Sequence, residues 1–462
     1  MRLRSITVQN FRNIAFAELK FGGGRQFFTG ENAQGKTNLL EAAGFISALR
    51  SFRTSDERTL IARGNSEAAI ACVIEHEKFG ETQVTIRLRA GGKEVRCDGE
   101  RIRKLGDYLG RFPIVVFTSQ DMLLVRGSPG ERRRWLDLAF AGTDAGYLRA
   151  LQDYHRALVS RNQLLKRGGA GAGFDAELSA FEQPLARAAA GLSARRAAGI
   201  EKLNAHAATA YARIAAEEGG GAKPDGSANL EDIAKPPAQS EASPCPQDST
   251  RPQNLPGSQD TPGPQDTPSL QNSHGPQNSP GSQNLTGSQN SPGLQATPCH
   301  QATLTYAPSV AALANAGEDA WAAHFAAMRQ RDIIMRATLS GPHRDDCDLD
   351  IGGRSARAFA SEGQQRSLAL SLRLAEAAYL RGQTGVQPVL LADDVLGELD
   401  PQRRRRFWAG LNDDAAPAHQ ILATGTTPPD TGLGAWQLFE VRGGGFAEIK
   451  KDWLTLRAAQ DT

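Results

Sequence analysis

Cysteine is scarce and unpaired in this chain. Its five cysteines, Cys72, Cys97, Cys245, Cys299 and Cys347, form no CxxC pair, which argues against a zinc ribbon or a thioredoxin-type motif. An odd, scattered set fits a reducing compartment. Long apolar runs are also missing. The longest, such as Val389–Ala392, are strand-length, far short of the roughly 20 residues a membrane-crossing helix needs. The N-terminus, MRLRSITVQNF, brings charge early with no apolar stretch behind it, so no secretory signal is expected. These absences point to a soluble, cytoplasmic protein without a membrane partner. Aromatics are only 6% of residues and scattered, so no base-stacking platform is visible. Any nucleic acid would be gripped through its phosphates, in a salt-dependent way.

What is present suggests two or three domains in 462 residues, 40% of them hydrophobic. The net charge of +2 is unevenly spread. Residues 219–302 hold three Lys or Arg against seven Asp or Glu, a balance of −4, so the rest of the chain carries +6. A mildly basic body is compatible with a polyanionic partner. From Gln247 to Gln301 a glutamine recurs every sixth residue among Pro, Gly, Ser, Asn, Asp and Thr. No position of the six is consistently aliphatic, so a hexapeptide β-helix would have nothing to bury. The segment is expected to be a disordered linker.

The N-terminal part reads as β-rich. Strands are expected around Leu3–Val8, Ala17–Phe21, Gln26–Phe28, Ala69–Glu75, Gln83–Arg89 and Ile114–Phe117. From about Ser128 to Glu218 the pattern is helical, with Phe174, Leu178, Phe181, Leu185 and Leu192 near heptad spacing. Pro184 predicts a break near the start of the long helix. Helices resume near Val310–Arg336, and buried strands are expected at Pro388–Asp394 and Gln420–Thr424.

Residues 30–37 read GENAQGKT and fit GxxxxGK[ST]. In this phosphate-binding loop, glycines let the backbone curl around phosphates and offer N–H donors. Lys36 reaches the β- and γ-phosphates, Thr37 offers a hydroxyl to Mg²⁺, and the following helix aims its positive end at the anion. An apolar pair, Phe27 and Phe28, precedes the loop and a helical stretch follows. ATP and Mg²⁺ are therefore the expected ligands. A second strand must supply a carboxylate for the metal, and PVLLADD at 388–394 does so. Asp393 ends that strand and is suited to the metal, and Asp394 is suited to polarise the attacking water.

Lys36 and Asp393 lie some 350 residues apart, so the site must be assembled from both chain ends. That separation argues against the compact motor of a transporter. SEGQQR at 361–366 opens an Ala/Leu-rich helix about 22 residues before the strand at Pro388. It resembles the signature motif of ATP-binding-cassette ATPases, in which a Ser and a Gly at a helix start touch the γ-phosphate of the opposite subunit. On this reading one chain cannot complete its own site, and ATP joins two heads.

Further stretches resemble the RecF family, head-only relatives of the chromosome-maintenance ATPases. They are NFRN at 10–13, GKTNLLEA at 35–42, RSFR at 50–53, GSPGERRRWLD at 127–137, YHRALVSRNQLLK at 154–166, GPHRDD at 341–346, SEGQQR, and DDVLGELD at 393–400. The resemblance implies an α/β fold, an ABC-type P-loop ATPase head built from both chain ends, with an inserted helical lobe and a disordered loop. The expected divisions are 1–125 and 337–462 for the head, 126–218 and 303–336 for the helical lobe, and 219–302 for the linker. The implied function is an ATP-dependent, DNA-binding homodimer of recombinational repair and replication with weak, DNA-stimulated ATPase activity. It binds gapped, single-stranded and duplex DNA and works with RecO and RecR to load the recombinase.

The resemblance also implies residue roles. Gly30, Glu31, Asn32, Ala33, Gln34, Gly35, Lys36, Thr37 and Asn38 surround the phosphates, with Arg12 nearby. Thr37, Asp393 and Gln120 attend the metal, and Lys36 and Asp394 are catalytic. Ser361, Gly363 and Gln364 act across the dimer, and Asp400 lies in the loop linking the two sites. Three features depart from the family pattern. They are the Gln-repeat linker, TSQD at 118–121 in place of a Pro-Glu-Asp-like turn, and Gly425, which has no side chain with which to sense the γ-phosphate and leaves that task to Thr424 or Thr426.

Two other constellations read as structural or as contact surfaces. Asp345, Asp346, Asp348 and Asp350 suggest a metal nuclease, but the last three alternate as on an exposed strand face, with Cys347 as a small strand residue. Arg132–Arg134 and Arg403–Arg406 are dense basic runs, candidates for contact with DNA or a second copy.

Overall fold

The structure, a computed structural model, describes residues 1–169, 171–215, 301–395, 401–411, 420–427, 429 and 435–449. Asp400 and the Gln-repeat linker up to residue 300 lie outside the described residues, as do Cys245 and Cys299.

The first sheet is antiparallel, in the order β2-β1-β4-β5-β6-β7. It comprises β1 (Arg2–Phe11), β2 (Ile14–Lys20), β4 (Glu67–His76), β5 (Gly80–Arg89), β6 (Gly92–Cys97) and β7 (Glu100–Arg101). Apolar residues alternate along these strands. Ile6 and Val8 of β1, Ile70, Cys72 and Ile74 of β4, and Val84, Ile86 and Leu88 of β5 all enter one core.

The second sheet has the order β15-β14-β3-β13-β12-β8. Its strands are β3 (Arg25–Thr29), β8 (Ile114–Thr118), β12 (Val389–Asp393), β13 (Ile421–Gly425), β14 (Gln437–Arg442) and β15 (Gly445–Ile449). All but β15 run parallel. The central strands β8, β12 and β13 are apolar along most of their length because both faces are covered. Phe28, Leu391 and Leu422 face the core shared with α1 (Lys36–Ala48). Phe27, Leu390 and Ile421 face the opposite core, shared with α8 (Glu362–Thr384) and α9 (Pro401–Leu411).

The remaining helices are α2 (Met122–Arg126), α3 (Pro129–Ala141), α4 (Ala145–Arg167), α5 (Ala172–Ala215), α6 (Glu318–Met335) and α7 (Ala356–Phe359). The 44-residue α5 is unbroken, and Pro184 lies inside it. This corrects the expected break. Loss of one N–H bond is outweighed by packing on both sides of the proline, where Leu178, Leu185 and Ala186 are fully buried.

The expected helix at 310–336 begins only at Glu318. A strand, β9 (Ala302–Ala307), precedes it, and residues 311–313 form a 3₁₀ turn. β9 pairs antiparallel with β10 (Asp346–Ile351), which carries β11 (Arg354–Ser355) on its other edge. This small sheet spans the division expected at 336/337 and shares a core with α5. In β10, Cys347, Leu349 and Ile351 are buried while Asp348 is exposed, as the alternation predicted. Among the described residues no cluster of His, Cys, Asp or Glu could hold a metal, and no helix is long and apolar enough to cross a membrane.

Candidate functional site

The parallel strands deliver their C-terminal ends to one edge, where ligands bind in open α/β sheets. Asp393 pairs in register with Thr424 on one side and Thr118 on the other, and Thr424 pairs with Phe28. The glycine loop leaves β3 at that same edge.

The loop is tightly curled. Gly30, Ala33 and Gly35 take φ of 157°, 64° and 116°. A β-carbon on Gly30 would lie 2.4 Å from the Val441 carbonyl oxygen. α1 then starts with no side-chain cap and no acidic residue in its first turn, leaving its positive end open to an anion. The buried Lys36 ammonium donates to the carbonyls of Gly30 and of Glu31, the latter at 2.9 Å. Burial lowers the Lys36 pKa, against the opposing pull of Asp394 and Asp393.

Thr37 Oγ1 donates to Asp393 Oδ1 at 2.8 Å, and Thr424 Oγ1 donates to the same oxygen at 3.0 Å. Burial raises the Asp393 pKa despite these two bonds. Asp394 stands just beyond the strand, exposed, with φ 53° and its N–H donated to Thr424 Oγ1 at 3.0 Å. Aspartate tolerates this left-handed turn better than most residues, and the turn ends the strand with two carboxylates in sequence. The donor set suits Mg²⁺, a hard cation that takes oxygen ligands in near-octahedral geometry. Adjacent oxygens around such an ion lie about 2.9 Å apart, close to the Thr37–Asp393 separation.

The other expected residues fall into two groups. Arg12 sits in the two-residue turn between β1 and β2, with φ 56°. Its guanidinium forks onto Glu41 of α1 at 2.9 and 2.7 Å. Arg53 of the RSFR segment joins Glu41 at 3.2 Å and Asn38 at 2.8 Å, and the Ser51 hydroxyl also donates to Glu41. The fully buried Glu41 therefore ties the NFRN turn, the P-loop helix and the RSFR segment together. An acid inside the apolar run NLLEAAGF was the signal, and sequence reasoning passed over it.

Gln120 lies exposed in the 3₁₀ turn after β8, and its side chain makes no hydrogen bond with Thr37, Asp393 or any other described residue. At the start of α8, Ser361 and Gln364 form a reciprocal capping box, with bonds of 3.3 and 2.9 Å. A β-carbon on Gly363 would lie 2.6 Å from the Arg403 guanidinium of α9, so the glycine lets that arginine cover the segment.

Sequence reasoning also missed the β14–β15 hairpin. Its Gly443 and Gly444 N–H groups donate to the side-chain and backbone oxygens of Gln34 at 2.7 and 2.8 Å. The triple glycine at 443–445 between apolar alternations was its signal. The basic run on α3 is partly structural: buried Arg132 forks onto Asp346 at 2.7 and 2.8 Å.

A family model described as the RecF/RecN/SMC N-terminal domain matches residues 2–429. The chain is 31% identical over 453 residues to the DNA replication and repair protein RecF of Synechococcus sp. (strain JA-2-3B'a(2-13)), covering 96% of this chain and 97% of that protein. This chain belongs to the RecF family. The RecF of Anaeromyxobacter sp. (strain Fw109-5) is 32% identical, with 92% of each chain covered. A solved structure of the recombination mediator protein RecF with ATP, in the RecFOR pathway, superposes with a TM-score of 0.72 at 24% identity and 97% coverage of both chains. The mixed α/β fold of RecF is therefore the fold of this chain.

Proposed function

We propose that the chain is an ATP-driven DNA clamp of recombinational repair and replication. It binds ATP and Mg²⁺ at the glycine loop, pairs with a second copy, and closes on gapped, single-stranded or duplex DNA in the cytoplasm. RecO and RecR are its partners in loading the recombinase. Hydrolysis is slow and serves to reopen the dimer.

The observation that carries this reading is the meeting of Thr37 and Asp393 across 356 positions, beside a loop whose lysine is folded onto its own carbonyls. An arriving triphosphate offers Lys36 better partners than the carbonyls of Gly30 and Glu31, because charge-assisted bonds to anionic oxygens are the stronger ones. The loop N–H groups and the uncapped turn of α1 cradle the phosphates. Bound Mg²⁺ supplies charge neutralisation for the phosphate oxygens, and Thr37 and Asp393 are the residues to hold it. Asp394, exposed past the strand, accepts a hydrogen bond from the water that attacks the γ-phosphorus. Ser361, Gly363 and Gln364 are then free to act on the nucleotide of the second copy, and Asp400 on the link between the two sites.

Sedimentation with and without ATP and gapped DNA tests the reading. Wild type should dimerise with ATP. Asp394→Asn should dimerise but lose turnover, and Lys36→Met should stay monomeric. An ATP-independent sedimentation profile for wild type contradicts the clamp, and unchanged turnover in Asp394→Asn contradicts hydrolysis at this site.

A further inference from the structure

Against the P-loop helix lies a half-enclosed cavity of 290 Å³. Its walls come from α1, β8, α3 and α8, and Phe52, Val116, Leu138 and Leu380 supply apolar surface. Ala48, Arg50, Leu109 and Arg134 line both this cavity and a wider cleft of 960 Å³ beside it. They therefore form the passage between the two.

The charges around the cavity are unevenly satisfied. Arg373 is held by Asp121 and Glu376, each at 2.8 Å. Arg53 is held by Glu41, and Glu131 takes the hydroxyl of Ser128. Two cations are left over at the passage. Among the described residues Arg134 donates only to the backbone carbonyl of Ser51, at 3.2 Å, and that bond sets its guanidinium beside the residue following Arg50. Arg50 makes no hydrogen bond or ion pair with any described residue. Glu57 acts on it only at longer range and is already paired with Lys93. Burial, with the nearby Arg134 charge, lowers the Arg50 pKa. Two neighbouring guanidiniums with no carboxylate in hydrogen-bond reach repel each other, and an anion between them removes the repulsion.

We infer that this cavity is a binding site for a small amphipathic organic acid, its apolar body inside and its anionic head between Arg50 and Arg134. The size fits two or three rings or a short aliphatic chain, and such pockets combine apolar walls with a few charged groups that fix orientation. No residue of the glycine loop lines the cavity, although Arg53, Thr118 and Gln120 carry its wall toward the end of the Asp393 strand, and the inference does not depend on the clamp reading.

The probe is 1-anilinonaphthalene-8-sulfonate, titrated by fluorescence into the full chain without nucleotide. Saturable binding at one site per chain is expected. Arg50→Ala/Arg134→Ala should weaken it at least tenfold. The uncharged N-phenyl-1-naphthylamine, with the same rings and no sulfonate, should bind at least tenfold more weakly. Ala48→Phe, which fills the passage, should abolish binding while the thermal melt stays cooperative. If that variant fails to fold, the double arginine variant decides alone, since both side chains are exposed. Non-saturable binding to wild type, or equal affinity in the double arginine variant, overturns the site.

Discussion

Thr37 Oγ1 and Asp393 Oδ1 lie 2.8 Å apart, joined by a hydrogen bond between residues 356 positions distant in the chain. Thr424 completes the arrangement at 3.0 Å from the same oxygen. The sheet order explains how this is achieved. β3, which launches the glycine loop, and β12, which ends in Asp393, flank β13, whose Thr424 stands between them. One carboxylate oxygen therefore serves two hydroxyls from two neighbouring elements, and the pocket is formed before any ligand arrives.

That pre-formation has a stability cost that a mutation can expose. Burial raises the pKa of Asp393 in the folded chain. Between the ordinary aspartate value and the raised one, the native state holds more protons than the unfolded chain, so stability falls as pH rises and stays reduced above that window. Asp393→Asn keeps an acceptor for Thr37 and Thr424 and removes the charge. Without ligand, its melting temperature at pH 7 should equal or exceed that of wild type, and the gap should narrow as pH is lowered. Its Mg²⁺-dependent gain in ATP affinity should fall by more than about tenfold, or about 1.4 kcal/mol. Calorimetry with and without Mg²⁺ checks both. A lower melting temperature in the variant contradicts the assigned cost.

Glu41 yields the opposite case. Its carboxylate is fully buried and holds Arg12, Arg53 and Ser51. Glu41→Ala leaves two guanidiniums without their shared partner. Loss of one side of a fully buried pair costs about 3–5 kcal/mol. Here Arg12 and Arg53 remain 20% and 38% exposed, so water relieves part of the penalty and about 2–3 kcal/mol is expected. Urea unfolding measures it. A loss below about 0.5 kcal/mol, the scale of an ordinary surface change, shows that Glu41 is not a hub.

The glycine loop, the strand ending in Asp393 and the capped start of α8 were all legible in the sequence. Phosphate and metal chemistry allow few residue types at fixed spacing there, and the flanking apolar runs set the strands. What escaped reading depended on long-range pairing. β9 is six residues, ATLTYA, directly after the glutamine repeat, and its identity as a strand comes from β10, some forty positions later. The β14–β15 hairpin stabilises the glycine loop from more than 400 residues away. Pro184 misled for the same reason: local preference argued for a break, and tertiary packing along α5 overrode it. Glu41 reads as a solvated helix residue until Arg12 and Arg53 are seen to meet it.

The helical lobe has its own buried charge centre. Arg161 of α4, with no exposed surface, binds Glu182 of α5 at 3.0 Å, Asp332 of α6 at 2.7 Å and the Thr338 hydroxyl at 2.7 Å. It joins three helices at one buried point. Arg161→Met keeps most of the volume and strands two buried carboxylates, though Arg329 still reaches Glu182 at 2.6 Å. A loss of about 3–5 kcal/mol is expected, with a broadened thermal transition. Nucleotide affinity should stay near that of wild type, since the centre touches no residue of the glycine loop. A variant as stable as wild type means the triad adds nothing to the packing around it.

The hairpin at 443–445 offers the sharpest comparison because its glycines differ in their surroundings. Gly444 has φ 83°, donates its N–H to Gln34 O, and has the Asn13 carbonyl oxygen 2.4 Å from where a β-carbon would stand. Gly443 has φ 54° and nothing within 4 Å of that position. Alanine at either site costs about 1–2 kcal/mol for the left-handed backbone. Only at Gly444 must the backbone also retreat, because Asn13 O belongs to the main chain and cannot swing aside. That retreat withdraws the N–H from Gln34 and loosens the loop that cradles the phosphates. Gly444→Ala should therefore weaken ATP binding about tenfold, while Gly443→Ala loses stability to a similar degree and keeps its affinity. Nucleotide titrations on both variants decide the matter: equal affinities mean that the hairpin stabilises the fold without shaping the site.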